Sequence, residues 1–347
     1  TARIGDPARE AAFEVLVRVE RDAAFANLPL PTVLRERKIT GRDAAFATEL
    51  TYGTLRSLGV LDAVIADNAS RGLDRMAVEV LTALRLGTYQ LLYTRVEDHA
   101  AVDTSVRLVE AAGQFKAKGF VNGVLRSITR TPAEEWLRKL EPEDPLAAVA
   151  FRHAHPVWIA ESIRAALGSR DDELEAALEA DSARPVVHLV ARPGEMSAEE
   201  LALVTGGEEG RYSPYAVYLP EGDPGQLQPV REGLAAVQDE GSQVIARAVV
   251  DVPVEDDQRR WLDLCAGPGG KAALMGALAA IDGAVVDAVE VSPHRAELIR
   301  KTVRDLPVRV HTADGRRSGL EPGYDRALVD APCSGLGAVS YTHLRAH

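Results

Sequence analysis

Two cysteines occur in the chain, and one of them, Cys333, stands in the segment DAPCSG, 330–335. A Pro-Cys pair closing an apolar run holds its thiol out towards the cleft beyond. A thiolate there could add to C6 of a pyrimidine and activate C5 for methylation. A small buried thiol with no chemistry is the competing reading. Upstream, LDLCAGPGGK (262–271) is a short apolar run that ends in a glycine turn. Gly267, Gly269 and Gly270 allow backbone angles that other residues avoid and let a ligand approach the main chain. A helix beginning behind them offers unpaired N–H groups. The turn has neither the GxGxxG pattern nor the spacing of a P-loop. Three acids complete the set: Glu290 near the end of AVVDAVEV (284–291), Asp314 in ADGR, and Asp330 in DRALVDAP (325–332). Acids at the carboxyl ends of successive parallel strands line the crevice where such sheets bind ligands. Glu290 is placed to take ribose hydroxyls and Asp314 to face an adenine. Together they suit an adenosine carrying a cationic group better than a dinucleotide phosphate.

These residues need an alternating strand and helix texture to hold them, and the sequence from about Val237 has it. WLDLC (261–265), 284–291, 308–313 and 325–332 read as strands, with helices expected over 270–280 and 293–305. A β-α-β-α-β order implies a parallel sheet with helices on both faces. Residues 6–130 read as helices only. Ala12, Val15, Leu16 and Val19 share one helical face, as do Val78, Leu81, Leu84 and Leu92, and Val102, Val106 and Val109. From Thr131 the texture shifts. Pro132 opens a helix with two acids behind it, 157–180 reads as helical, PVVHLVAR (185–192) as a strand, and 205–230 as short strands and loops.

The chain has 347 residues, enough for two or three domains. No apolar run is long enough to cross a membrane. Thr1 to Glu10 is charged, so no secretory signal is expected. Two cysteines cannot build a disulfide framework and point to a reducing cytoplasm. Neither belongs to a CxxC pair, so no metal site is expected. The net charge of −12 argues at first against nucleic acid, but it is unevenly spread. Residues 1–130 carry 18 basic and 16 acidic side chains, residues 131–260 carry 12 and 26, and residues 261–347 carry 10 and 10. The stretch 111–130 holds Lys116, Lys118, Arg126 and Arg130 and no acid, which suits a phosphate-binding face as well as an ordinary solvated helix end.

VQDEGSQ (237–243), LDLCAGPGGK, DGR (314–316) and DAPCSGLGA (330–338), in this order, resemble the RNA cytosine-5 methyltransferases that use S-adenosylmethionine. FVNGVLR (120–126) and YGTLR (52–56) resemble the NusB-like helical domain that opens the bacterial ribosomal, RsmB or Sun type, branch of that family. HPVWIAESI (155–163) resembles the segment linking the two. The resemblance implies a multidomain chain. Its parts are an all-α NusB-like RNA-binding domain over 6–130, a small α+β connector over 131–236, and an incomplete α/β Rossmann-like methyltransferase domain over 237–338.

It also implies a cofactor site made of Cys265, Ala266, Gly267, Pro268, Gly269, Gly270, Lys271, Glu290, Asp314 and Asp330. Many relatives have Asp where this chain has Glu290. In the resembled family the attacking cysteine lies in a later Thr-Cys motif, and the Pro-Cys thiol, here Cys333, helps release the product. No Thr-Cys pair occurs in this chain. The tail VSYTHLRAH, Val339–His347, back-translates with permitted codons to a string resembling a transposon-end sequencing adapter, and is expected to be a non-native tail on a truncated reading frame. The expected function is methylation of C5 of a cytosine in small-subunit ribosomal RNA, in the cytoplasm and as a monomer, with this chain itself inactive. A non-catalytic RNA-binding or antitermination protein, and a methyltransferase acting on DNA or a small molecule, are the rival classes.

Overall fold

The computed structural model describes residues 3–22, 29–220 and 222–332. The chain divides into two compact units between Arg184 and Pro185.

In the first unit the described residues form helices and 3-10 turns only. The helix Val78–Tyr93 lies at its centre, with Val80, Ala83, Leu84 and Leu86 all buried. The expected stripe of Ala12, Val15 and Leu16 is buried as well. Gly87 lets two neighbours close on this central helix: a Cβ there would sit 2.7 Å from Ser105 Oγ and 2.8 Å from Leu125 Cδ1. The core does not stop at residue 130. Trp136, on the helix Ala133–Leu140, is buried in the same cluster and donates its indole N–H to the Ile128 carbonyl at 3.0 Å. The helices Pro145–Arg152, Val157–Leu167 and Leu174–Ser182 follow, around a small core of Ala150, Ala160, Leu174 and Leu178. The helix expected over 157–180 is interrupted at Gly168, whose φ is +59°. The span 131–236 is therefore not one connector. Its first part packs with the helices, and its second part belongs to the other unit.

That second unit carries two sheets. The smaller is antiparallel: β1 (Val187–Ala191), β2 (Glu208–Glu209), β3 (Ala216–Leu219) and β4 (Ala235–Val237), in the order β2-β3-β1-β4. The larger is parallel: β5 (Arg260–Asp263), β6 (Val285–Glu290), β7 (Val308–Thr312) and β8 (Arg326–Leu328), in the order β7-β6-β5-β8. The strands lie where their apolar runs place them, although β8 is shorter than its run. Helices on both faces are not found among the described residues. Glu240–Asp251 packs on Gly270–Asp282, which in turn packs on Pro293–Thr302, so the three lie side by side. Right-handed crossovers explain this: stepping from β5 to β6 to β7 in one direction puts both crossover helices on one face. The return from β7 to β8 holds only the 3-10 turn Gly315–Arg317. On the face away from the helices, Asp287 is held by His311 Nε2 at 2.7 Å and by the Tyr324 hydroxyl, which donates to it at 2.8 Å.

Candidate active site

Because β5 to β8 run parallel, their carboxyl ends meet at one end of the sheet. The turn after β5, Glu290 at the end of β6, Asp314 after β7 and Asp330 after β8 are gathered there. The glycine turn is fixed by its neighbours. The Ala266 N–H donates to the Val289 carbonyl at 2.9 Å. The Gly267 N–H donates to Glu290 Oε2 at 3.0 Å, and the Ser292 N–H to Glu290 Oε1 at 2.9 Å. The Arg295 guanidinium donates to the Gly267 carbonyl. A Cβ on Gly267 would fall 2.1 Å from Glu290 Oε2, so no larger residue fits there with this carboxylate in place. Gly269, at φ +118°, turns the chain into the helix Gly270–Asp282. Among the described residues no side chain caps that helix, so its first N–H groups point at whatever occupies the turn.

Each acid named from the sequence has a partner. Glu290 is nearly buried and braces the turn as described. Asp314 accepts from the Arg316 N–H at 2.9 Å and from its guanidinium, and this pairing holds its carboxyl down at about 2. Its loop is tied to β6 through the Ala313 N–H and the Glu290 carbonyl, 3.1 Å apart. Asp330 receives the Lys271 ammonium at 2.7 Å. Cys333 lies outside the described residues, as does Val339–His347.

Asp263 is the acid that sequence reasoning missed. It ends β5 and is 1% exposed, and neither carboxylate oxygen has a hydrogen-bond partner of good geometry among the described residues. Burial pushes its carboxyl up to about 7; Asp330 adds to the rise, while Lys271 and the Cys265 N–H oppose it. A charged residue closing an apolar strand was its signal in the sequence. The thiol of Cys265 is also raised, first by burial and then by Asp263, Glu290 and Asp330. A protonated thiol is a poor nucleophile, which suits Cys265 to lining the turn. Arg295 was missed as well, because nothing local ties it to a glycine 28 residues away.

In the helical unit, Lys116, Lys118, Arg126 and Arg130 are all exposed. Lys118, Asn122 and Arg126 follow i, i+4 spacing on one side of the helix Lys118–Ile128, with Arg126 Nε donating to Asn122 Oδ1 at 3.0 Å. Lys118 also pairs with Glu110 at 2.9 Å, so the face is less purely cationic than its own stretch of sequence. Phe115, 67% exposed, stands beside Lys116. Among the described residues no cluster of His, Cys, Asp and Glu could hold a metal ion, and no helix is long and apolar enough to cross a membrane.

Residues 6–130 match the NusB family, and residues 249–343 match the 16S rRNA methyltransferase RsmB/F family. The chain is 56% identical over 337 residues to the putative methyltransferase Rv1407 of Mycobacterium tuberculosis, covering 96% of this chain and 74% of that protein. It is 30% identical to the probable ribosomal RNA small subunit methyltransferase B of Bacillus subtilis, covering 95% and 74%. Among solved structures, PH0851 superposes with a TM-score of 0.76 at 16% identity, over 100% of this chain and 79% of that one, a likeness of fold.

Proposed function

The chain belongs to the RsmB/F family of 16S rRNA methyltransferases, and from that premise we propose S-adenosylmethionine-dependent methylation of C5 of a cytosine in small-subunit ribosomal RNA. The observation that carries the cofactor assignment is Asp263, buried at the glycine turn with no hydrogen-bond partner of good geometry among the described residues, with Glu290, Asp314 and Asp330 at the neighbouring strand ends. An orphaned carboxylate among further acids fits a cationic ligand and rejects a phosphate. S-adenosylmethionine supplies a methyl group on a positively charged sulfur.

The residues of this chain divide the binding. The turn from Cys265 to Lys271 gives close approach and the free N–H groups of a helix start. Glu290 braces that turn and offers its remaining lone pairs to ribose hydroxyls. Asp314 faces the base end, and Asp330 with Pro332 borders the pyrimidine end. The target cytosine leaves its stack to reach such a cleft. In the reaction a thiolate adds to C6, C5 takes the methyl group, and loss of the C5 proton restores the ring as the thiolate leaves. In this reading Cys333 serves product release. The cytoplasm, where ribosomal RNA is made in a bacterium, is the proposed location, and a monomer the proposed state.

Calorimetry with S-adenosylmethionine tests the site. Asp314→Ala should weaken binding by roughly 1.5–3 kcal/mol, the usual value of a charged acceptor. Glu290→Ala should weaken it more, because the Gly267 and Ser292 N–H groups lose their acceptor too. Unchanged affinity in both variants would remove these acids from the site.

The exposed basic face around 116–130 is proposed to dock RNA. Changing Lys116, Lys118, Arg126 and Arg130 to Ala together should lower the slope of log K against log salt by about 2–3 for a single-stranded RNA. Lys118 contributes least, since Glu110 already holds it. An unchanged slope would leave this face as solvated surface.

A further inference from the structure

In the unit that begins at Pro185, the small antiparallel sheet meets the helix Gly270–Asp282, and a cavity of about 400 Å3 lies between them. Leu274 and Leu306 give it apolar walls, and Arg192, Arg231, Lys301 and Arg304 line it with positive charge. Two acids, Glu232 and Asp305, also line it. Glu232 accepts from the Gln228 amide at 2.7 Å, and Asp305 lies 3.9 Å from Arg304 Nε. Arg231 and Lys301 are exposed and have no ion pair among the described residues. Glu290, Asp314 and Asp330 take no part in this cavity, and Gly270 is the one residue of the cofactor turn that lines it.

Gln238 lines the cavity beside Gly270. Its backbone is satisfied: the N–H donates to the His188 carbonyl at 3.1 Å, and the carbonyl accepts from Gln243 Nε2 at 2.9 Å. Its side-chain amide is not. The residue is 8% exposed, and neither Nε2 nor Oε1 has a hydrogen-bond partner among the described residues. A buried amide with both atoms unpaired is costly unless a ligand meets it. It offers a donor and an acceptor side by side, the pattern that reads the edge of a nucleobase. Apolar walls take a base's faces, and the arginines and lysine take a phosphate. The volume lies in the range of small-molecule sites.

We propose that this cavity binds a single nucleotide. Given the RNA reading above, on which this form of the inference rests, the nucleotide is an unpaired one of the RNA substrate, other than the cytosine that receives the methyl group. Gln238 reads its base edge, and Arg231 and Lys301 hold its phosphate.

The test is titration of the 347-residue chain with fluorescently labelled AMP, followed by competition with unlabelled AMP, GMP, CMP and UMP and with an unstructured RNA oligonucleotide. Binding that weakens about tenfold or more in Arg231→Glu/Lys301→Glu, whose side chains are exposed and leave the fold intact, and in Gln238→Ala supports the site. Displacement by the oligonucleotide assigns the nucleotide to RNA, and displacement by mononucleotides alone assigns it to the free pool. Equal binding by wild type and both variants, or no binding of any probe at millimolar concentration, overturns the proposal. S-adenosylmethionine affinity, measured on the same wild-type preparation, reports on the methyltransferase reading separately. Its loss would overturn that reading and leave the nucleotide result to be judged alone.

Discussion

Replacing Asp263 with asparagine makes the Pro185–Cys333 unit more stable than the wild type at pH 8, by a margin that is less than half as large at pH 5. The buried carboxyl keeps its proton up to about pH 7 in the folded chain, whereas its ordinary value is 3.8. Between those values the folded state binds more protons than the unfolded one, so stability falls as pH rises and is lowest above pH 7. A rise of about three units corresponds to an upper bound near 4 kcal/mol, and the realised loss should be on the order of 2–4 kcal/mol. Asparagine carries no charge at either pH, and so lacks this loss. Urea unfolding of both proteins at pH 5 and pH 8 checks it; a stability difference of the same size at both values would sink the argument. Under the proposed function its charge serves binding, so the asparagine variant should hold S-adenosylmethionine more weakly at pH 8, where wild-type Asp263 is largely ionised. A stabilising substitution that costs affinity is what a residue kept for its ligand should show.

The elements that carry the candidate residues are legible where a local pattern encodes them. β5, β6 and β7 lie under their apolar runs, and Glu290, Asp314 and Asp330 follow strand ends because a period-two run must stop somewhere. What could not be read depends on distant partners. Trp136 carries the helical core past residue 130, where the NusB family match ends, by reaching the Ile128 carbonyl. The one-sided helix layer follows from crossover handedness once the strand order is known, but strand order is a long-range fact. The acids looked free in the sequence. In the fold Glu290 holds the turn, Asp314 holds Arg316 and Asp330 holds Lys271, whereas Asp263, hidden inside an apolar run, has no hydrogen-bond partner of good geometry among the described residues. Gln238 stood in a motif, VQDEGSQ, that was used only for its resemblance, and its unsatisfied amide is visible only with β1 and the glycine turn around it.

The 347-residue chain should transfer no methyl groups above background, although its glycine turn and the acids around it are assembled. The reaction needs a thiolate at C6, and in the resembled family that thiolate comes from a Thr-Cys motif that this sequence does not contain. Two cysteines are present. Cys265 is excluded by its surroundings: burial, Asp263, Glu290 and Asp330 all raise its thiol, so it stays protonated at neutral pH, and Arg295 opposes this only in part. That leaves Cys333 as the sole alternative, and the family assigns its position to product release. Losing a nucleophile normally lowers turnover by orders of magnitude, on the scale of about 10⁶ in a well-studied serine enzyme. Binding is a separate matter. The acids, the turn and the helix start are all in place, so S-adenosylmethionine should bind while turnover is absent. The assay is methyl transfer from labelled cofactor to unmodified small-subunit ribosomal RNA, run beside calorimetry on the same sample. Binding without transfer agrees with the argument. Turnover that survives in Cys265→Ala and disappears in Cys333→Ala would overturn it and make Cys333 the nucleophile. The Pro-Cys thiol would then do in this chain what its sequence context first suggested, adding to C6 of the pyrimidine.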